Sequence, residues 1–236
     1  MFYGKKKAVT FSYDDGVTQD IRLVELFNKY GLKATFNINS ELLGTDGELN
    51  VFGNKVTHNK VNKSDVAKIY DGHEIAVHTL THPTLVYVKD DSEIIRQITE
   101  DKKNLSELAG YEVVGMAYPG GRPNYNSRIA QLIEDNTSIK YARTSIDSYD
   151  FALQRDLLEF HPTIHHTEWN KMFELAEKFI SSESEYPQIF YIWGHSYEFD
   201  GDNSWDKMEE FCKLISGKDD IYYGTNKDVL LRGCLI

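Results

Sequence analysis

The 236 residues carry 26 Lys+Arg against 37 Asp+Glu, a formal charge of −11, with 41% hydrophobic and 27% charged residues. That balance describes a soluble globular chain long enough for one sizeable core, and no run approaches the roughly 18 apolar residues that a membrane span needs, so no membrane partner is expected. The acidic excess argues against nucleic acid as a partner, because nucleic acid is bound through Lys and Arg that displace phosphate counterions.

Lys5, Lys6 and Lys7 precede a short apolar run and read as a solvated chain entry rather than a basic arm. No signal-peptide pattern follows, so the expectation is a cytoplasmic protein, or a secreted or cell-wall protein if a leader has been trimmed. Without repeats, low-complexity runs or linkers, residues 1–236 are expected to form one domain. Cys212 and Cys234 are too few for a disulfide framework and neither has a catalytic setting.

β-prone runs recur at residues 8–12, 34–38, 74–78, 113–118, 140–144, 157–161, 188–194 and 221–224. Between them lie helical stripes: Ile94, Ile95, Ile98, Leu105 and Leu108; Met172, Phe173, Ala176, Phe179 and Ile180; Trp205, Met208, Phe211, Cys212 and Ile215. Strand alternating with helix predicts an α/β fold, a distorted (β/α) barrel of about seven or eight parallel strands with function at the C-terminal strand ends. Residues 40–63, polar and dotted with glycine, break the alternation and read as an excursion over one rim.

The first predicted strand ends in Asp14-Asp15-Gly16. Adjacent side chains on an extended chain point apart, so two neighbouring acids face one point only where the chain begins to turn, as Gly16 permits. The third strand ends in His78-Thr79-Leu80-Thr81-His82-Pro83, whose His-x-x-x-His spacing lets two imidazoles reach one ion. Two histidines and one carboxylate form a common catalytic zinc set, and both motifs fall at predicted strand ends.

These motifs resemble the polysaccharide deacetylase family, which contains the NodB homology domain and carbohydrate esterase family 4. The resemblance runs from Thr10 to His195. It implies that Asp14 is the general base and that Asp15, His78 and His82 hold one divalent metal ion, zinc in the first instance, with cobalt, nickel or manganese as alternatives. A metal-bound water would then attack the acyl carbonyl. Tyr118-Pro119-Gly120-Gly121 matches the third motif, with Gly120 offering a backbone N–H to the oxyanion and Tyr118 and Pro119 lining the substrate site. Many relatives carry Arg where this chain has Ala117; Arg143 is the candidate substitute that braces Asp14, with Arg122 the rival.

Residues 189–195 resemble the last motif, making His195 the general acid. Ile192 and Trp193 are then expected at the acyl pocket, and Gly194, where relatives have Leu, either leaves that pocket wider or leaves Trp193 to close it. Asp147 or Asp150 is expected to orient His195, while His161, His165 and His166 read as structural or surface histidines. Tyr197, Glu198 and Asp200 fall on a loop beside sugar or water. The implied activity is removal of N-acetyl, less readily O-acetyl, groups from a carbohydrate. Alternatives are an allantoinase-like hydrolase of a small amide or cyclic ureide, and a carbohydrate-binding relative without turnover.

Overall fold

Val9-Thr10-Phe11-Ser12-Tyr13 and Ala34-Thr35-Phe36-Asn37-Ile38 alternate apolar with polar residues although every one of them is buried, so one face of their sheet must be a buried polar layer whose groups find partners. The computed structural model describes residues 2–233. Its elements are β1 (Lys7–Asp14), α1 (Asp20–Lys29), β2 (Ala34–Ile38), β3 (Glu48–Val51), β4 (Asn54–Thr57), α2 (Val66–Ile69), β5 (Glu74–Val77), α3 (Asp91–Ala109), β6 (Gly115–Ala117), α4 (Ser127–Asn136), β7 (Tyr141–Arg143), β8 (Ile164–His165), α5 (Trp169–Ser181), β9 (Gln188–Gly194), α6 (Glu198–Gly201), α7 (Trp205–Ile215), β10 (Ile221–Tyr223) and α8 (Asn226–Gly233).

Eight strands form one parallel sheet in the order β7-β6-β5-β2-β1-β9-β8, with β10 added beside β1. β1 changes partner along its length: residues 7–9 pair with β10 and residues 11–14 with β2. The sheet curls into a half-barrel, as expected from the strand–helix alternation.

Alternation along β1 separates two environments. Val9, Phe11 and Tyr13 join Phe36, Phe190, Ile192 and the helix stripes in the main apolar core. The opposite, concave face is polar. Thr10 Oγ1 bonds Asn226 at 2.8 Å, Thr35 Oγ1 bonds Glu74 at 2.8 Å, and Asn37 Nδ2 donates to Ser12 Oγ and to Asp14 Oδ1, each at 2.8 Å. This buried, partnered ladder leads up to Asp14 at the strand end.

Two expectations change. Residues 157–161 do not form a strand: Asp156 Oδ1 takes the backbone N–H groups of Leu158 and Glu159, a local turn that competes with the ladder, and β8 forms later at Ile164–His165. Only Phe160 bridges to Arg143. The excursion at 40–63 contains the antiparallel β3–β4 hairpin, closed by Phe52 and Gly53 at φ 53° and 86°, the positive pair that a tight hairpin turn requires. Among the described residues no helix is long and apolar enough to cross a membrane. Cys212 is a buried free thiol on α7, and Cys234 lies outside the described residues.

Candidate active site

Asp14 ends β1, and the chain reverses at Asp15 itself: its φ is 85°, ahead of Gly16 at 62°. A non-glycine residue in the left-handed region stores strain that its surroundings must hold. Here the rim excursion does so. Val61 N donates to Gly16 O at 3.0 Å, Lys60 Nζ to Asp15 O at 2.8 Å, and His58 Nε2 lies 3.2 Å from Asp15 Oδ2. Asp15 Oδ1 is thereby turned toward His82 Nε2 at 3.5 Å and His78 Nε2 at 3.9 Å. Burial opposes ionisation of Asp15, but the His58 hydrogen bond and the Lys60 charge outweigh it and hold the carboxyl well below its ordinary range.

His78 and His82 lie on an irregular loop rather than a helical turn, with Thr79 at φ 67° and His82 at 62°. The loop is held from below. Asn39 Nδ2 donates to His78 O and Thr79 O at 2.6 and 3.0 Å, and Gln97 of α3 accepts from Thr81 N at 3.1 Å and donates to Thr81 Oγ1 at 2.9 Å. His78 Nδ1 sits 2.9 Å from Ala117 O; as a donor there it leaves Nε2 with its lone pair facing Asp15. Burial lowers the pKa of His78 to about 4 and also lowers that of His82, so both imidazoles are neutral.

One carboxylate oxygen and two neutral imidazoles, all within 4.8 Å of one another, fit a divalent cation. Zinc bonds of about 2.0–2.2 Å set tetrahedral donors roughly 3.3–3.6 Å apart, close to the Asp15–His82 spacing.

Arg143 faces Ala117 in register across the β6–β7 ladder. The small Ala117 side chain leaves room for the guanidinium, which crosses to Asp14 and touches both carboxylate oxygens through Nη2. The contact is one shared nitrogen rather than a two-pronged fork; Nε donates instead to Ser12 Oγ at 3.1 Å and Nη1 to Thr144 O at 3.2 Å. Arg143 is fully buried. Burial raises the Asp14 pKa, but the Arg143 guanidinium and the charged His195 overcome it and keep Asp14 ionised. Arg122 does not serve this role: it donates to Ser145 O and to Asp147 Oδ2 on the rim.

His195 follows β9, with Nε2 3.9 Å from Asp14 Oδ2. Its orienting acid is Glu198, not Asp147 or Asp150. Glu198 Oε2 accepts from His195 N at 2.9 Å and lies 3.2 Å from His195 Nδ1. Burial disfavours the imidazolium, yet Glu198 raises the His195 pKa to about 9. Asp147 Oδ1 accepts instead from Trp193 Nε1 at 2.8 Å, fixing an indole that covers the Arg143 guanidinium at 4.5 Å; Asp150 caps its own turn, accepting from Phe151 N.

A cleft of about 500 Å³ joins these groups, lined by Asp14, Asp15, His78, His82, Trp193 and His195, with Tyr118 and Gly120 also on its wall. Tyr118 is fixed by its hydroxyl, which donates to Leu158 O at 2.8 Å. Gly120 has φ 84°, and a Cβ there would lie 2.3 Å from Thr84 Oγ1, so a side chain at this position would be strained and would displace Thr84. Pro119 is buried and does not line the cleft. Ile192 does not either: Trp193 faces inward, so its neighbour points to the helices and packs in the main core. Gly194 opens no extra room. A Cβ there would fall 2.0 Å from His166 Nδ1, and the buried His166 ring fills the space, stacked on Phe199 with centroids 4.4 Å apart. His165, read from sequence as structural, lines the cleft.

The polysaccharide deacetylase family model matches residues 3–138, more than half of the chain. The chain belongs to the polysaccharide deacetylase family. Solved structures share this deacetylase fold. The peptidoglycan N-acetylglucosamine deacetylase Bc1960 is 18% identical, with TM-score 0.57 over 97% of this chain and 90% of that one. A family 4 carbohydrate esterase from Streptomyces lividans is 13% identical, with TM-score 0.56 over 94% and 93%. BA3943 from Bacillus anthracis, a pseudoenzyme of carbohydrate esterase family 4, is 13% identical, with TM-score 0.54 over 95% and 66%. This chain spans 40% and 64% of the length of two further solved relatives. A comparison with curated protein sequences found no match.

Proposed function

We propose that this chain is a metal-dependent hydrolase that removes N-acetyl groups from an amino sugar in an oligosaccharide or polysaccharide. One observation carries the proposal: a neutral two-histidine, one-carboxylate donor set, a clamped carboxylate and a charged imidazole face the same cleft. Pseudoenzymes share the fold, so it is this retained set that supports turnover, rather than the architecture.

Asp15, His78 and His82 would hold the cation. When bound, a divalent ion supplies Lewis-acid polarisation of the acyl oxygen and acidifies water, to a pKa of about 7 with zinc. Asp14, ionised and fixed by Arg143, accepts the proton of the attacking water. The N–H of Gly120 hydrogen-bonds the oxygen as it gains charge. His195 then donates the proton that Glu198 helps it retain to the departing amine nitrogen. An amide leaves poorly without that proton, and an imidazole held charged up to about pH 9 favours N-acetyl over O-acetyl substrates. The donor set accepts zinc, cobalt, nickel or manganese according to supply.

The test is acetate release from N-acetylated glucosamine oligomers and peptidoglycan fragments, with cyclic ureides alongside, after reconstitution with each metal. Acetate from the acetylated sugars is expected. Turnover confined to the ureides would replace this assignment with the small-amide one.

A further inference from the structure

A second cluster of ligating side chains lies next to the Asp15 site and shares no residue with it. Glu198 Oε2 is ringed by three imidazoles: His195 Nδ1 at 3.2 Å, His165 Nε2 at 3.4 Å and His166 Nε2 at 3.4 Å. His165, His195 and Glu198 offer ligand atoms that all fall within 4.8 Å of one another. The Glu198–imidazole spacings lie near the roughly 3.3–3.6 Å edges of a zinc tetrahedron, and are tighter than the Asp15–His78 and Asp15–His82 spacings.

His166 supplies an independent observation. It is fully buried, and neither of its ring nitrogens has a hydrogen-bond partner, although buried polar groups are almost always satisfied. Its Nε2 lies 3.4 Å from the same Glu198 oxygen without forming a hydrogen bond to it. The remaining ligands are already oriented: His165 Nδ1 lies 2.7 Å from Thr167 Oγ1 and accepts from Thr167 N at 3.4 Å, which fixes the ring with Nε2 on the Glu198 side. His165 and His195 both line the cleft, which gives an ion a way in.

We propose that His165, His195 and Glu198, with His166 behind them, form a second site for a zinc-class cation, and that its occupation inhibits the enzyme by removing His195 from proton transfer. Occupancy rests on the cluster alone; the inhibition rests on the function proposed for His195. A ligand bond at His195 Nδ1 takes the place of the proton that Glu198 holds there. His195 then loses the charge with which it serves as acid.

Equilibrium dialysis against buffered zinc, with bound metal counted, tests occupancy. The wild-type chain is expected to reach two zinc ions per chain, His165→Ala and Glu198→Gln one each, and Asp15→Asn one, held in the second site. Cobalt on the wild type provides a check that needs no folded variant: the second equivalent should add its own tetrahedral visible absorption. Saturation of the wild type at one ion, or two ions in both His165→Ala and Glu198→Gln, overturns the site. In turnover assays the first equivalent should activate, and the second should slow the wild type by about 100-fold, the scale of a lost general acid. Two bound ions without inhibition would leave the site standing and overturn its regulatory role. If no acetylated sugar is turned over at all, the function proposed above fails, while the zinc count still decides occupancy.

Discussion

Arg143 reaches Asp14 from the far side of the curled sheet, and it does so from the position directly opposite Ala117 in the β6–β7 ladder. Two neighbouring strands thus offer equivalent starting points for one guanidinium, and this chain uses the second. Arg143→Ala should cost about 3–5 kcal/mol in denaturant unfolding, because it leaves a buried carboxylate without its counter-charge. Ala117→Arg added to Arg143→Ala should recover most of the stability and the acetate-release rate. A double variant no better than Arg143→Ala would show that the two positions are not interchangeable.

Glu198 sets the charge of His195. In the metal-free protein the His195 ring should titrate near pH 9, and in Glu198→Gln closer to its ordinary 6.5, as followed by NMR. The sign for stability follows: a raised imidazole pKa stabilises the fold fully below about 6.5, and that stability is lost as pH rises through about 9. Glu198→Gln should flatten this alkaline decline in Tm. An unshifted His195 titration would remove Glu198 from the role.

Gly194 is fixed by His166, not by a wide acyl pocket. Gly194→Leu should destabilise by about 1–3 kcal/mol through overpacking against the imidazole, and His166→Ala in the same chain should relieve much of that. Thermal unfolding of the single and double variants checks it; equal penalties in both would refute the contact.

His58 braces the Asp15 carboxylate from the rim hairpin. His58→Ala should weaken metal affinity by about 10–100-fold, the usual scale for a residue that orients a ligand, as measured by competition with a chromogenic chelator. Unchanged affinity would leave His58 as a surface residue.

The parallel barrel and the Asp15, His78, His82 grouping were legible in the sequence because each motif closes a buried strand, and strand ends meet on one rim. Arg143 was legible for the same reason, but its equivalence to position 117 depends on register, which one strand's sequence does not carry. His58 and Lys60 arrive on a hairpin whose docking against residues 15–18 is purely tertiary. Glu198 had a signal in its three-residue spacing from His195 across a tight turn. Ile192 was misplaced by ignoring alternation: with Trp193 and His195 facing inward, Ile192 and Gly194 must face the helices. The strand assigned to residues 157–161 failed because Asp156 offers the backbone a competing local turn.

The metal proposed for Asp15, His78 and His82 is tested most directly by acetate release from an N-acetylglucosamine oligomer by protein stripped with a chelator and then reloaded. The stripped protein should be inactive, one equivalent of zinc or cobalt should restore the rate, and Asp15→Ala should stay inactive under the same reloading. Stripped protein that releases acetate as fast as the reloaded form would contradict the account.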